Sequence, residues 1–162
     1  YIWALAQLIV PSFSGRKRFN VLGAVNAIHH TFHSVCNETY INSNSICVLM
    51  TRLRKFYGDS KITLVLDNAR YQKCKVVMDF AQIANIELLY LPPYSPNLNL
   101  IERVWKFIRK EALSNQVHSD FTSFKEAISQ CCDNLNSIYK PNMESLLALN
   151  FQEFEKKVNQ AA

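Results

Sequence analysis

Glycine and proline are scarce in this chain, at 3 and 5 of 162 residues. That scarcity excludes collagen-like and low-complexity classes, and an apolar fraction of 49% excludes a disordered chain. No apolar run approaches the roughly 20 residues a bilayer-spanning helix needs, and the opening residues do not read as a secretory leader. A membrane is therefore not an expected partner. The five cysteines (Cys36, Cys47, Cys74, Cys131 and Cys132) are odd in number and lack CxxC spacing. They read as reduced intracellular thiols, not as a disulfide frame or a zinc site. What is present suffices for one domain with a substantial core. The chain opens on Tyr1, which reads as an internal start with further sequence expected upstream.

Charge is unevenly spread. Residues 1–110 hold 14 Lys and Arg against 6 Asp and Glu, whereas the remainder holds 4 against 7. A basic body with a mildly acidic tail suits a polyanionic partner such as nucleic acid, although solvated basic faces are the plainer explanation of charge alone. The cations fall in small groups: Arg16-Lys17-Arg18, Arg52/Arg54/Lys55, Arg70/Lys73/Lys75 and Arg103/Lys106/Arg109/Lys110.

The hydrophobic pattern predicts a strand over Phe19–Val25 and a hairpin partner over Thr31–Cys36. A helix capped by Ser43 and ended by Gly58 follows, with Ile46, Leu49, Met50, Leu53, Phe56 and Tyr57 at 3–4 spacing. Ile62–Leu66 reads as a strand buried on both faces. Next come a helix with Val76, Val77, Phe80, Ile83 and Ala84 on one face, and a strand over Ile86–Leu91. Pro92-Pro93-Tyr94-Ser95-Pro96 forces an extended loop. The helix beyond it carries Leu98, Ile101, Trp105, Ile108 and Ala112 on one stripe. Two amphipathic helices, Phe121–Tyr139 and Met143–Val158, separated by Pro141, complete the chain. A hairpin followed by alternating helix and strand is α/β with a mixed sheet.

Two carboxylates stand out by position. Asp67 ends a strand, where open α/β sheets bind ligands, although Asp-Asn is also ordinary turn chemistry. Glu102 lies early in the helix after the proline loop, where it also suits a capping box with Asn99 and an i,i+4 pair with Lys106. Together they are more telling. Hard oxygen donors on rigid elements are what Mg²⁺ requires, and paired metal ions serve phosphodiester chemistry.

Leu64-Val65-Leu66-Asp67-Asn68-Ala69-Arg70, followed by Leu91-Pro92-Pro93-Tyr94-Ser95-Pro96-Asn97-Leu98-Asn99-Leu100-Ile101-Glu102, resembles the catalytic core of DDE transposases, in particular bacterial insertion-sequence members of the mariner superfamily. The 34 residues between Asp67 and Glu102 match that group's spacing. Gly15–Ala24 and Trp105-Lys106 also resemble it, so the likeness covers most of the chain. Asn97 and Leu100 depart from the usual Asp and Pro without removing a family carboxylate.

The resemblance implies a ribonuclease H-like mixed sheet flanked by helices, divalent metal (Mg²⁺ or Mn²⁺), and cleavage and strand transfer of double-stranded DNA. Asp67 and Glu102 correspond to the second and third acidic metal ligands. The first belongs to a central strand expected upstream of Tyr1, and a helix-turn-helix region for transposon ends is expected there too. Lacking that strand, the chain is expected to show two unpaired strand edges and little cleavage of its own. The division implied is a partial catalytic core over 1–113 and a helical extension over 114–162. Arg16, Lys17, Arg18, Arg70, Arg103, Lys106, Arg109 and Lys110 are candidate phosphate contacts. A homodimer and a bacterial cytoplasmic, nucleoid-associated setting are further expectations.

Two other functions compete: a ribonuclease H-like nuclease, and a non-catalytic DNA-binding or dimerisation remnant of a transposase. Glu38 and Asp59 are not on matching strands and are rejected as replacement ligands. His29-His30-x-x-His33 sits in a turn-to-strand context that does not fix metal geometry. Cys131-Cys132 and Trp105 read as core.

Overall fold

The computed structural model describes residues 17–67, 69–92, 99–114 and 118–148. The elements are β1 (Asn20–Val25), β2 (Phe32–Asn37), α1 (Ser43–Tyr57), β3 (Ile62–Leu66), α2 (Lys75–Ile83), β4 (Ile86–Tyr90), α3 (Ile101–Leu113), α4 (Phe121–Asn134) and α5 (Lys140–Leu146). Two short sheets result among these residues: an antiparallel β1–β2 hairpin and a parallel β3–β4 pair.

Helices cover the strands from two sides. On one side, Leu49 and Leu53 of α1 meet Val35 of β2, while Ile46, Cys47 and Met50 meet Val77 and Ala81 of α2 and Ile86 of β4. On the other, Val104, Ile108 and Ala112 of α3 join Ile128, Cys131 and Cys132 of α4, Met143 of α5, and Leu135 and Leu147 around Phe32. Phe32 and Val35 serve opposite layers because strand side chains alternate. All five cysteines are free, and burial pushes the Cys131 and Cys132 thiols up to about 11 and about 12, as befits inert core residues.

Several local readings need correction. The cap of α1 is Asn42, whose side chain accepts from the Ser45 amide while the Ser45 hydroxyl accepts from the Asn42 amide. Ser43 is already helical. β3 is covered on one face only: Leu66 is buried, but Thr63 and Val65 are exposed, because α1 and α2 share one side of the β3–β4 pair. On α2, Val77 and Ala81 are buried while Val76 and Ile83 face solvent, so the apolar stripe is narrower than the sequence suggests. Val104, not Trp105, is the fully buried residue in the middle of α3. Helix α4 stops at Asn134, and Pro141 lies in the first turn of α5, where a missing N–H leaves no gap. The expected continuation to Val158 lies outside the described residues.

Arg54 ties together the two turns that feed the parallel strands. Its guanidinium donates to the carbonyls of Gly58 and Ser60 beyond α1, and to those of Ala84 and Asn85 beyond α2. Both turns contain a positive φ, at Gly58 (55°) and Asn85 (50°), so the carbonyls turn away from their helices toward one cation. Removing the guanidinium gives up four hydrogen bonds, three of them exposed enough that water takes over the acceptor. We expect Arg54→Ala to lose roughly 2 kcal/mol of unfolding free energy, read as a lower urea midpoint at unchanged slope.

Candidate active site

A cavity of about 590 Å³ separates the two sheets, with Val21–Val25 of β1 on one wall and Ile62–Leu66 of β3 on the other. Backbone pairing shows what these walls present. The Phe32 amide and carbonyl bind the Asn136 side chain on the outside of the hairpin, so Phe32 faces away from β1. Its cross-strand partner is Val25, and the alternation of an antiparallel ladder then turns the N–H and C=O groups of Val21, Gly23 and Val25 toward the cavity. On the opposite wall, the Leu66 carbonyl accepts from the Leu91 amide, so Ile62, Leu64 and Leu66 serve β4. Thr63 and Val65 therefore direct their backbone groups into the same space. Among the described residues, the cavity is a slot between two strand edges that pair with no further strand.

The outer edge of β2 contrasts with this. Asn136 occupies both polar groups of Phe32 at 2.7 and 2.8 Å, and Arg52 donates to the Ser34 carbonyl. Side chains thus occupy three main-chain groups of a flank that would otherwise offer a pairing template.

Both candidate carboxylates line the slot. Asp67 follows β3 directly and is exposed; its Oδ1 accepts from the Ala69 amide at 3.3 Å, so the Asx-turn reading and the site reading apply to the same residue. Glu102 is exposed in the first turn of α3. The expected capping box is absent: Asn99 receives the Glu102 amide through its main-chain carbonyl at 3.1 Å, and the N-cap Leu100 has no capping side chain. Lys61–Glu87 and Lys125–Glu38 are the ion pairs among the described residues, so Glu102 and Lys106 do not form one there. Both carboxylates are free of salt-bridge partners within that set. Engaged by Lys125 at 2.8 Å, Glu38 plays no part in the slot.

Tyr71 and Gln72 also line the slot beside Asp67. Burial and then the negative charge of Asp67 raise the Tyr71 phenol above its ordinary range, against a lowering hydrogen bond from Gln72. At the Lys61 end, Asn26 Nδ2, Thr31 Oγ1 and His33 Nε2 gather around the Tyr57 hydroxyl at 3.1, 2.9 and 3.3 Å. The histidine motif is thus divided: His30 takes a turn conformation at φ 53°, and His33 packs edge-on against Phe56 and Tyr57. No group of three or more His, Cys, Asp or Glu side chains that would hold a metal occurs among the described residues.

Gly23 sets how closely α3 approaches. A Cβ there would stand 2.7 Å from the rings of both Phe32 and Trp105, which pack edge to face at 5.9 Å between centroids. Gly23 drew no role from the sequence pattern, although an isolated glycine inside a strand is a signal of such close approach. Gln72 gave no comparable signal, being one polar residue in an irregular turn.

The candidate phosphate contacts separate by position. Arg16 lies outside the described residues. Lys17 stands over the Phe121 ring and Arg18 over Tyr40, with both cations exposed. Arg70, Lys106, Arg109 and Lys110 are exposed as well. Arg103 turns inward, donating to the carbonyls of Leu146 at 3.1 Å and Ala148 at 2.9 Å, and so anchors the end of α5 to α3.

With that geometry established, comparison with known proteins gives the family. Residues 7–125 match the DDE superfamily endonuclease family, and the chain belongs to it. An uncharacterized protein of Sinorhizobium fredii (y4pE/y4sA) is 41% identical over 54 residues, which are 33% of this chain and 38% of that protein. Among solved structures, a chain of the simian T-cell lymphotropic virus intasome in complex with PP2A regulatory subunit B56 gamma is similar, with a TM-score of 0.60 at 14% identity, over 95% of this chain and 58% of that one. The catalytic domain of Mos1 mariner transposase is similar with a TM-score of 0.54 at 15% identity, over 91% of this chain and 81% of that domain. The fold is therefore the ribonuclease H-like α/β architecture of transposase and integrase catalytic domains. This chain spans little more than a third of the Sinorhizobium relative.

Burial lowers the His33 pKa from 6.5, so the folded state favours the neutral ring. Between the lowered pKa and 6.5 the unfolded chain binds more protons, and stability rises with pH across that window. We expect the urea midpoint to fall as pH drops below 6.5, and His33→Gln to flatten that fall.

Proposed function

We propose that this chain is the catalytic portion of a DDE transposase that cuts and joins double-stranded DNA with divalent metal. The observation that carries the reading is the slot itself: Asp67 and Glu102 line a gap whose two walls are strand edges with no further strand partner among the described residues. An extended segment seated there, antiparallel to β1 and parallel to β3, satisfies both edges and delivers a third acidic side chain. We assign this place to the acid-bearing first strand that the resemblance to DDE transposases implies.

Asp67 and Glu102 would hold Mg²⁺ or Mn²⁺, a relative's structure having been solved with Mg, and the metal when bound supplies Lewis-acid stabilisation of phosphodiester oxygens. Two carboxylates make an incomplete donor set, because such ions are coordinated by six or more oxygens and their geometry here must be fixed by further groups. Lys17, Arg18, Arg70, Lys106, Arg109 and Lys110 are exposed cations suited to DNA phosphates, while Arg103 is engaged within the fold. Association of two copies and a bacterial nucleoid setting remain part of the proposal.

The test is metal-dependent nicking of supercoiled DNA by the 162-residue chain and by an N-terminally extended form carrying the upstream strand. We expect cutting from the extended form alone, abolished by Asp67→Ala and by Glu102→Ala. Cutting by the shorter chain that survives Glu102→Ala sinks the site assignment. DNA affinity that persists without any metal-dependent cleavage from either form points to a binding module instead. A second measurement follows from the exposed cations: Lys106→Ala should weaken DNA binding uniformly across sequences and reduce the salt slope by about one unit.

A further inference from the structure

We propose that Gln72 is a positioning residue for Asp67: it holds the Ala69 amide, so the carboxylate can turn to a cation without leaving that donor unpaired. The inference rests on the reading of Asp67 as a metal-binding group.

The Ala69 amide is shared. It donates to Asp67 Oδ1 at 3.3 Å and to Gln72 Oε1 at 3.2 Å, both at the long end of N–H···O distances, as in a three-centre bond. The two acceptors differ in freedom. Asp67 is exposed, whereas Gln72 is 5% exposed and fixed through its main chain. The Gln72 amide donates to the Ala69 carbonyl at 2.9 Å, and its carbonyl accepts from the Tyr90 hydroxyl at 3.0 Å. Tyr90 is itself a β4 residue, so the Gln72 main chain is held against the parallel pair whose β3 leads into Asp67.

This arrangement solves a particular problem. A carboxylate that alone satisfied the Ala69 amide would have to break that bond to offer Oδ1 to a metal, and an amide without any acceptor is costly. With Gln72 as second acceptor, the amide keeps a partner whichever way Asp67 turns. The turn geometry then persists in both states.

Ala69 provides the test, because its φ of −56° and ψ of 142° suit proline, which has no amide hydrogen. Mn²⁺ affinity is measured by electron paramagnetic resonance of free Mn²⁺ in the 162-residue chain. Gln72→Met should weaken binding about 3- to 10-fold, the scale of one hydrogen bond. In an Ala69→Pro background the same substitution should change nothing, because the donor that Gln72 serves is gone. Loss of equal size in both backgrounds, or in neither, overturns the proposal and leaves Gln72 a packing residue. If Asp67→Asn binds Mn²⁺ as well as the parent does, the metal reading falls and this inference with it. A cation-free measurement stands apart from both: Ala69 amide exchange should stay protected in Asp67→Ala and accelerate in Asp67→Ala/Gln72→Met. Acceleration already in Asp67→Ala contradicts the role given to Gln72.

Discussion

A β-strand has two hydrogen-bonding edges, and a strand inside a sheet must use both. In this molecule the arithmetic of alternation decides almost everything else. Val21, Gly23 and Val25 on one side, and Thr63 and Val65 on the other, turn their main-chain groups toward a shared gap because their neighbours in the ladder are already committed to β2 and β4. The slot, the placement of Asp67 at its rim and the approach of α3 across it all follow from that alternation.

Helices hold the walls apart. Helix α1 touches both sheets, through Val35 on one and the Ile46 and Met50 cluster on the other, and α3 leans on β1 through Trp105. Absence of a side chain at Gly23 lets the Trp105 and Phe32 rings meet over the strand. Since Glu102 lies one turn before Trp105 on α3, that contact also governs where the carboxylate stands relative to the slot. Packing and chemistry are joined at this point by a single missing methyl group.

Much of this was legible in the sequence, for identifiable reasons. β3 and β4 are short β-branched and aliphatic runs bounded by turn residues, and α1 keeps its 3–4 spacing between a polar start and Gly58. Asp67 and Glu102 were picked out by position and by the motifs around them. What escaped was whatever depends on a neighbour. The apolar run of β3 suggested coverage on two faces, but α1 and α2 share one, leaving Val65 in solvent. Asn136, Arg54 and Arg103 are unremarkable polar residues by pattern, yet each spends its side chain on main-chain groups of a different element. The cation count in α3 made Arg103 one of four equivalent candidates, and its contact with the end of α5 separates it from Lys106, Arg109 and Lys110. The gap between β1 and β3 among the described residues has no counterpart in composition or period, and only the resemblance to a family led us to expect it.

Asn136 and Arg52, which close the outside of β2, bear on how the molecule behaves at high concentration. An open flank recruits a second chain, whose own far edge recruits a third, and growth has no natural end. At the β2 flank the first step is blocked by side chains already bonded to Phe32 and Ser34. The slot behaves differently, since it is bounded on both sides. A strand seated there, as proposed above, would leave no edge for the next, so association at the slot would saturate and not propagate into a fibre.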